Sequence, residues 1–333
     1  MRVTVVGAGS WGTTVASVLC RRDHEVLLWA RRPGVAAEVN GQRSNAAYLP
    51  DVRLPARLRA TADLEQAGRH AELLVVGVPT GAFRETLEQV RPHLAPWFPV
   101  VSLGKGLEHG SHLRMTEVIK QVLPGRPAAA LTGPNLAREI MAGQAAASVI
   151  ATEDPTVATA LQREVHRGLF RVYTHHDVVG CEIGGAFKNV IAIATGMAEG
   201  LGVGDNTRAA VMSRGLAELI RLAVALGGEA ATLAGLAGMG DLVATCMSPQ
   251  SRNRHVGEQL GLGRPIDEVL GEMRMVAEGV KTVSTAVELG DQHGLDMPIA
   301  RTISDVVNGR IRAADAYRGL IRAVPAGHES QPG

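Results

Sequence analysis

Cysteine is scarce and neither sign of charge dominates. The 3 cysteines, Cys20, Cys181 and Cys246, lie too far apart for a metal-binding CxxC pair, so a reduced, cytoplasmic chain is expected. With 34 basic and 33 acidic residues the net charge is +1, without the basic excess that a nucleic-acid or membrane-surface partner draws. No apolar run of about 18 residues or more is expected, so nothing should span a membrane. Met1-Arg2 passes straight into Val3-Thr4-Val5-Val6, too short for a signal-peptide core. No internal repeat is present. His175 and His176 are adjacent and cannot chelate as a helical i, i+4 pair does, so no metal is expected.

What is present is ordinary globular material: 46% hydrophobic and 20% charged residues over a 333-residue chain, long enough for two domains. Short Val/Leu-rich runs at 3–6, 25–30, 73–78, 100–103, 128–132, 148–152 and 169–173 are bounded by Gly, Pro and Asp. They read as buried parallel strands joined by helical crossovers, two of which fall at 13–22 and 112–122. From about Cys181 the strand signal stops. Long Ala/Leu/Ile/Met segments follow at 183–199, 205–226, 266–273, 278–293 and 299–307, with Gly-rich joints at 200–204 and 235–240. The expected fold is α/β: a Rossmann-type parallel-sheet domain over 1–180, then an all-helical substrate and dimerisation domain over 181–324. A polar tail, 325–333, should fray. Substrate is expected in the cleft between the domains.

Gly7-Ala8-Gly9-Ser10-Trp11-Gly12 stands between the first strand and the first helix. In that setting Gly7 permits the tight turn, Gly9 lets the backbone approach a pyrophosphate, and Gly12 lets helix and strand pack closely. The helix N-terminus offers free N–H groups to the phosphates. A purely structural glycine turn is the alternative. At the end of the second strand, where an NAD-selective site carries an acid, Ala30 is followed by Arg31 and Arg32. Two guanidiniums suit a 2′-phosphate, so NADPH is favoured over NADH, although at least one of them is expected to be a solvated strand-end charge.

The segment 183–198 is apolar nearly all round, with only Lys188, Asn189 and Thr195 polar. A lysine buried there loses hydration, which lowers its pKa toward the range useful for proton transfer. The competing reading is a lysine that snorkels to the surface.

The motifs occur in a telling order. The glycine motif is followed by Ser102-Leu103-Gly104-Lys105-Gly106, Thr132-Gly133-Pro134 and Phe187-Lys188-Asn189-Val190. Then come Gly204-Asp205-Asn206, Gly238-Met239-Gly240-Asp241-Leu242, Ser251-Arg252-Asn253 and Glu278-Gly279-Val280. This series resembles the bacterial NAD(P)-dependent glycerol-3-phosphate dehydrogenases over roughly residues 2 to 310. The resemblance implies reversible reduction of dihydroxyacetone phosphate to sn-glycerol 3-phosphate with NADPH or NADH, supply of glycerol 3-phosphate for glycerophospholipid synthesis, and a homodimer. It implies catalytic roles for Lys188, Lys105 and Asp241. Substrate contacts would come from Lys105, Gly133, Asn135, Lys188, Asn189, Asp241, Thr245, Ser251, Arg252 and Asn253. Dinucleotide contacts would come from Gly7, Gly9, Ser10, Trp11, Gly12, Arg31, Arg32, Lys105, Ala137, Arg252, Val276 and Glu278. Arg252 and Asn253 would give the substrate phosphate a planar fork and an amide, and Asp241 would orient the Lys188 ammonium. One departure is Asn135-Leu136 where the family usually has Ser or Thr followed by Phe. The rival readings are a related β-hydroxy-acid dehydrogenase and a nucleotide-binding sensor without turnover. Retention of both Lys105 and Lys188 speaks against the sensor.

Overall fold

The computed structural model describes residues 1–20, 24–273 and 277–321. By contact density the chain divides into two compact units, Met1–Glu182 and Ile183–Gly333.

The first unit is a single eight-stranded sheet. Its strands are β1 (Arg2–Val6), β2 (Glu25–Trp29), β3 (Arg59–Thr61), β4 (Leu73–Val76), β5 (Val100–Ser102), β6 (Ala128–Thr132), β7 (Ala146–Ala151) and β8 (Phe170–His175), in the order β3-β2-β1-β4-β5-β6-β7-β8. β1 pairs in parallel with both β2 and β4, so the order reverses beside it, and ligands of such sheets bind at the strand C-termini at that switch point. Val3, Val5, Leu28, Leu73, Leu74 and Val76 are fully buried, because helices cover both faces of the sheet.

The sheet departs from the all-parallel expectation at one pairing, since β7 runs antiparallel to β6. The connection between them carries only the Ala137–Met141 helix of 5 residues. Five residues rise about 7.5 Å, too little to return the chain along a strand of about 16 Å, so β7 starts from the end where β6 stopped. β8 also corrects the expectation of strands buried on both faces: burial and exposure alternate along this edge strand. β3, short and beginning with arginine, carries no apolar run to announce it. The helix expected from residue 112 starts at Met115, because His112 takes a left-handed φ of 57°. The first helix is Ser10–Cys20, its N-terminus directly on the glycine motif.

The described part of the second unit contains helices and no strand. The Val178–Gly200 helix enters it from the first unit. Four helices of this part fall outside the expected segments: Ala230–Leu233, Asp241–Met247, Arg252–Gly261 and Ala313–Ile321. The expected joint at 235–240 is itself helical, a π turn over Leu236–Gly240 that runs into the Asp241–Met247 helix. Glycines set the closest contact of the unit. A Cβ on Gly196 or Gly200 would overlap the carbonyl oxygens of Arg254 and Glu258, and one on Gly257 would overlap that of Ile193. The Val178–Gly200 and Arg252–Gly261 helices therefore touch backbone to backbone, which fixes where the Ser251-Arg252-Asn253 segment sits relative to Lys188.

Two helical stretches are long and apolar enough to cross a membrane by length and composition, Val178–Gly200 and Ala230–Met247, which corrects the expectation that none exists. The first is a core helix, with 89% of its apolar window buried. The second is interrupted by the π turn. The tail 325–333 lies outside the described residues.

Candidate active site

In the first unit the nucleotide cradle is made of backbone. Gly7 adopts φ +117°, and a Cβ there would stand 2.6 Å from the carbonyl carbon of Gly77. A Cβ on Gly12 would overlap the carbonyl oxygen of Gly7. These two positions admit only glycine. Gly9 differs, with nothing within 4 Å of where its Cβ would be, so the space a pyrophosphate needs is open. The Trp11 indole N–H is buried with no partner among the described residues, and the ring packs edge-on against Phe170 at 6.2 Å. Open space above Gly9 and an unmet donor beside it fit a dinucleotide.

Three residues of the cradle escape sequence reading. Asn45, fully buried, donates from Nδ2 to the Ala8 carbonyl and to Thr13 Oγ1, both at 2.9 Å. The Ser10 hydroxyl donates to the Tyr48 carbonyl at 2.7 Å. Gly77, at the end of β4, lies against Gly12, where its Cβ would stand 3.4 Å from the Gly12 Cα. Asn45 and Tyr48 belong to a loop without periodicity, and only the glycine directly after a buried strand gave a usable signal.

Arg31 and Arg32 are both exposed beyond the end of β2. Arg32 precedes the Pro33–Gln42 helix and donates to the Tyr48 hydroxyl at 3.1 Å. Lys105, in the loop after β5, donates from Nζ to the Gly133 carbonyl at 2.8 Å. Gly133 itself has φ +124°. Asn135 and Ser148 hydrogen-bond each other, with the Asn135 amide donating to Ser148 Oγ at 2.9 Å. The asparagine that replaces the family's Ser or Thr is thereby tied to β7. Ala137 opens the short helix that follows.

In the second unit the site is made of side chains. Lys188 is 5% exposed and Asp241 1%. The Lys188 ammonium donates to the Asp241 carboxylate and, at 2.6 Å, to Thr245 Oγ1. The Thr245 hydroxyl donates in turn to the Asp241 carbonyl at 2.7 Å, so its oxygen is presented to the lysine as an acceptor. Lys188 does not snorkel. Its charge is paired inside the protein, which a buried ammonium requires. Cys246 lies behind the pair, and burial pushes its thiol up to about 11 against the opposing influence of Thr195 and of the Lys188 charge.

Ser251 caps the Arg252–Gly261 helix, its side chain accepting from Arg254 N at 3.2 Å. Helix N-termini with an adjacent guanidinium are anion sites. Desolvation lowers the Arg252 pKa and Glu278 opposes it, and an arginine starts high enough to stay charged. Asn253 is held at both ends of its carboxamide. Its Oδ1 accepts from Gly279 N at 3.0 Å and its Nδ2 donates to Asn189 Oδ1 at 2.9 Å. These two bonds brace three helices. Glu278 opens the Glu278–Gln292 helix, while Val276 lies outside the described residues. Among the described residues no cluster of His, Cys, Asp and Glu could hold a metal.

The two units each match a family model. Residues 2–158 match the NAD-dependent glycerol-3-phosphate dehydrogenase N-terminus and residues 177–318 the C-terminus. An NAD(P)+ glycerol-3-phosphate dehydrogenase of Sphingopyxis alaskensis is 55% identical over 333 residues, 100% of this chain and 99% of the relative. One from Mycobacterium bovis is 51% identical over 329 residues, 98% and 96% of the two chains. The crystal structure of glycerol-3-phosphate dehydrogenase from Coxiella burnetii superposes with a TM-score of 0.92 at 34% identity, covering 96% of this chain and 98% of that one. Over nearly its whole length, then, this chain belongs to the NAD-dependent glycerol-3-phosphate dehydrogenase family, a family of oxidoreductases.

Proposed function

We propose that the chain reduces dihydroxyacetone phosphate to sn-glycerol 3-phosphate, reversibly, with Lys188 as the proton donor. The observation that carries this reading is the buried Lys188 ammonium held by Asp241 and Thr245. Two acceptors fix the direction of Nζ and hold the ammonium charged inside the protein. Gly7, Gly9, Ser10 and Gly12 would hold the nicotinamide dinucleotide, which would supply the hydride. As negative charge grows on the ketone oxygen, Lys188 stabilises it and delivers the proton, and Lys105 adds positive potential. In the reverse direction Lys188 takes the hydroxyl proton back. Arg252, at the capped N-terminus of its helix, receives the substrate phosphate.

Arg31 and Arg32, where an NAD site carries an acid, favour NADPH over NADH. A homodimer, a cytoplasmic setting without membrane insertion, and supply of glycerol 3-phosphate for phospholipid synthesis complete the reading. The test follows NADPH absorbance with a substrate panel. Oxidation with dihydroxyacetone phosphate and none with β-keto acids is expected, and the reverse pattern overturns the assignment.

A further inference from the structure

We propose that Tyr48 is a specificity-determining residue of the cofactor site: it holds Arg32 ready for a 2′-phosphomonoester and donates its own hydroxyl proton to the same group. This rests on the reading that the arginines after β2 select NADPH.

The two arginines are equivalent in sequence and different in the fold. No hydrogen bond or ion pair engages the Arg31 guanidinium among the described residues. Arg32 donates from Nη2 to the Tyr48 hydroxyl oxygen at 3.1 Å, and its guanidinium carbon lies 5.4 Å from the centre of the Tyr48 ring. The tyrosine pins that arginine through its oxygen and its π face together. Tyr48 is itself anchored. Its N–H donates to the Asn45 carbonyl at 3.1 Å and its carbonyl accepts the Ser10 hydroxyl at 2.7 Å. Asn45 in turn grips Ala8 and Thr13. One residue therefore links the glycine motif, which would hold the pyrophosphate, to the strand end, which would hold the ribose.

Hydrogen-bond accounting supplies the second part. The Tyr48 oxygen already accepts from Arg32, so its O–H points elsewhere, and no acceptor among the described residues takes it. A phosphomonoester brings acceptor oxygens and about two negative charges, matching one pinned guanidinium and one waiting hydroxyl. Side-chain entropy that a free arginine would lose on binding is already lost in the free protein, which favours the phosphorylated nucleotide selectively. NADH has no group at that position to profit.

The experiment compares dissociation constants for NADPH and NADH, by fluorescence titration of the full chain. Tyr48→Phe keeps the ring and loses the hydroxyl, and NADPH should bind about fivefold more weakly. Tyr48→Leu loses both, and about tenfold is expected, while NADH stays within about twofold in each variant. Arg32→Ala should cost NADPH more than Arg31→Ala. Equal weakening for both nucleotides, no weakening, or a larger effect from Arg31→Ala overturns the proposal. Should Tyr48→Leu fail to fold, the Phe variant preserves the packing and decides the matter. The double variant Arg31→Ala/Arg32→Ala separates the levels. If it weakens both nucleotides alike, the 2′-phosphate reading itself falls. If it is selective while the Tyr48 variants are not, only the role of Tyr48 falls.

Discussion

The cradle of the first unit and the lysine site of the second are built from different parts of the polypeptide. In the cradle the decisive atoms are main chain: Gly7 and Gly12 exclude side chains, and the first helix presents its N–H groups. In the second unit the decisive atoms are side-chain nitrogens and oxygens brought together over long sequence separations, 53 residues for Lys188 and Asp241 and 64 for Asn189 and Asn253. A site of backbone is specified locally and tolerates almost no added volume. A site of buried side chains tolerates isosteric change in shape, and loses its chemistry instead.

Substitutions on the two sides should therefore fail in opposite ways. Lys188→Met preserves length and packing. Turnover should fall by roughly 10²–10⁴-fold, the size of a general acid's contribution, with NADPH affinity retained. Measuring kcat beside the nucleotide Kd checks this, and turnover within about tenfold of the parent would move the proton source elsewhere. Gly12→Ala should show the reverse. Its Cβ overlaps the Gly7 carbonyl oxygen, main chain against main chain, so the unit should lose about 1–3 kcal/mol of stability and its hold on both nucleotides. Unchanged NADPH and NADH affinities in a folded Gly12→Ala protein would break the comparison.

Arg252→Lys tests the anion site. Lysine keeps the charge and loses the planar fork, so dihydroxyacetone phosphate should bind roughly 1–3 kcal/mol more weakly, read as a raised KM. An unchanged KM would remove Arg252 from the phosphate.

A last effect concerns stability alone. Glu218 is buried on the Asp205–Ala225 helix and accepts from Ile299 N at 2.7 Å and Ala300 N at 3.2 Å. Burial pushes its carboxyl from 4.5 up to about 7, against those two hydrogen bonds. The folded state thus holds a proton that the unfolded chain has released. Stability from this group is full below about 4.5 and declines as pH rises to about 7, by about 1.4 kcal/mol for each unit of displacement. Glu218→Gln should flatten that decline in urea titrations across the same window. A variant with the parent's slope would assign the decline to other groups.

Legibility followed the same division. The glycine motif, the core strands and the buried lysine helix could be read directly, because period, placement and composition act over a few neighbouring residues. The Asn45–Tyr48 loop could not, since an asparagine in an aperiodic stretch shows nothing of the carbonyl it will hold. Nor could the Arg252–Gly261 helix, whose surface is polar and whose contact is made by glycines.

The sequence by itself determined that one domain carries a glycine motif between strand and helix, that its strands stack by Val and Leu, and that Lys188 is the lone lysine of an apolar helix. Those outcomes depend on local conformational preference and hydrophobic pattern. Only the tertiary structure decided that β7 runs antiparallel, that Tyr48 holds Arg32, and that the Asn253 amide serves as a brace. Each of these turns on which polar group meets which across distant segments. A buried donor must find an acceptor somewhere, but its own neighbours in the chain do not say where.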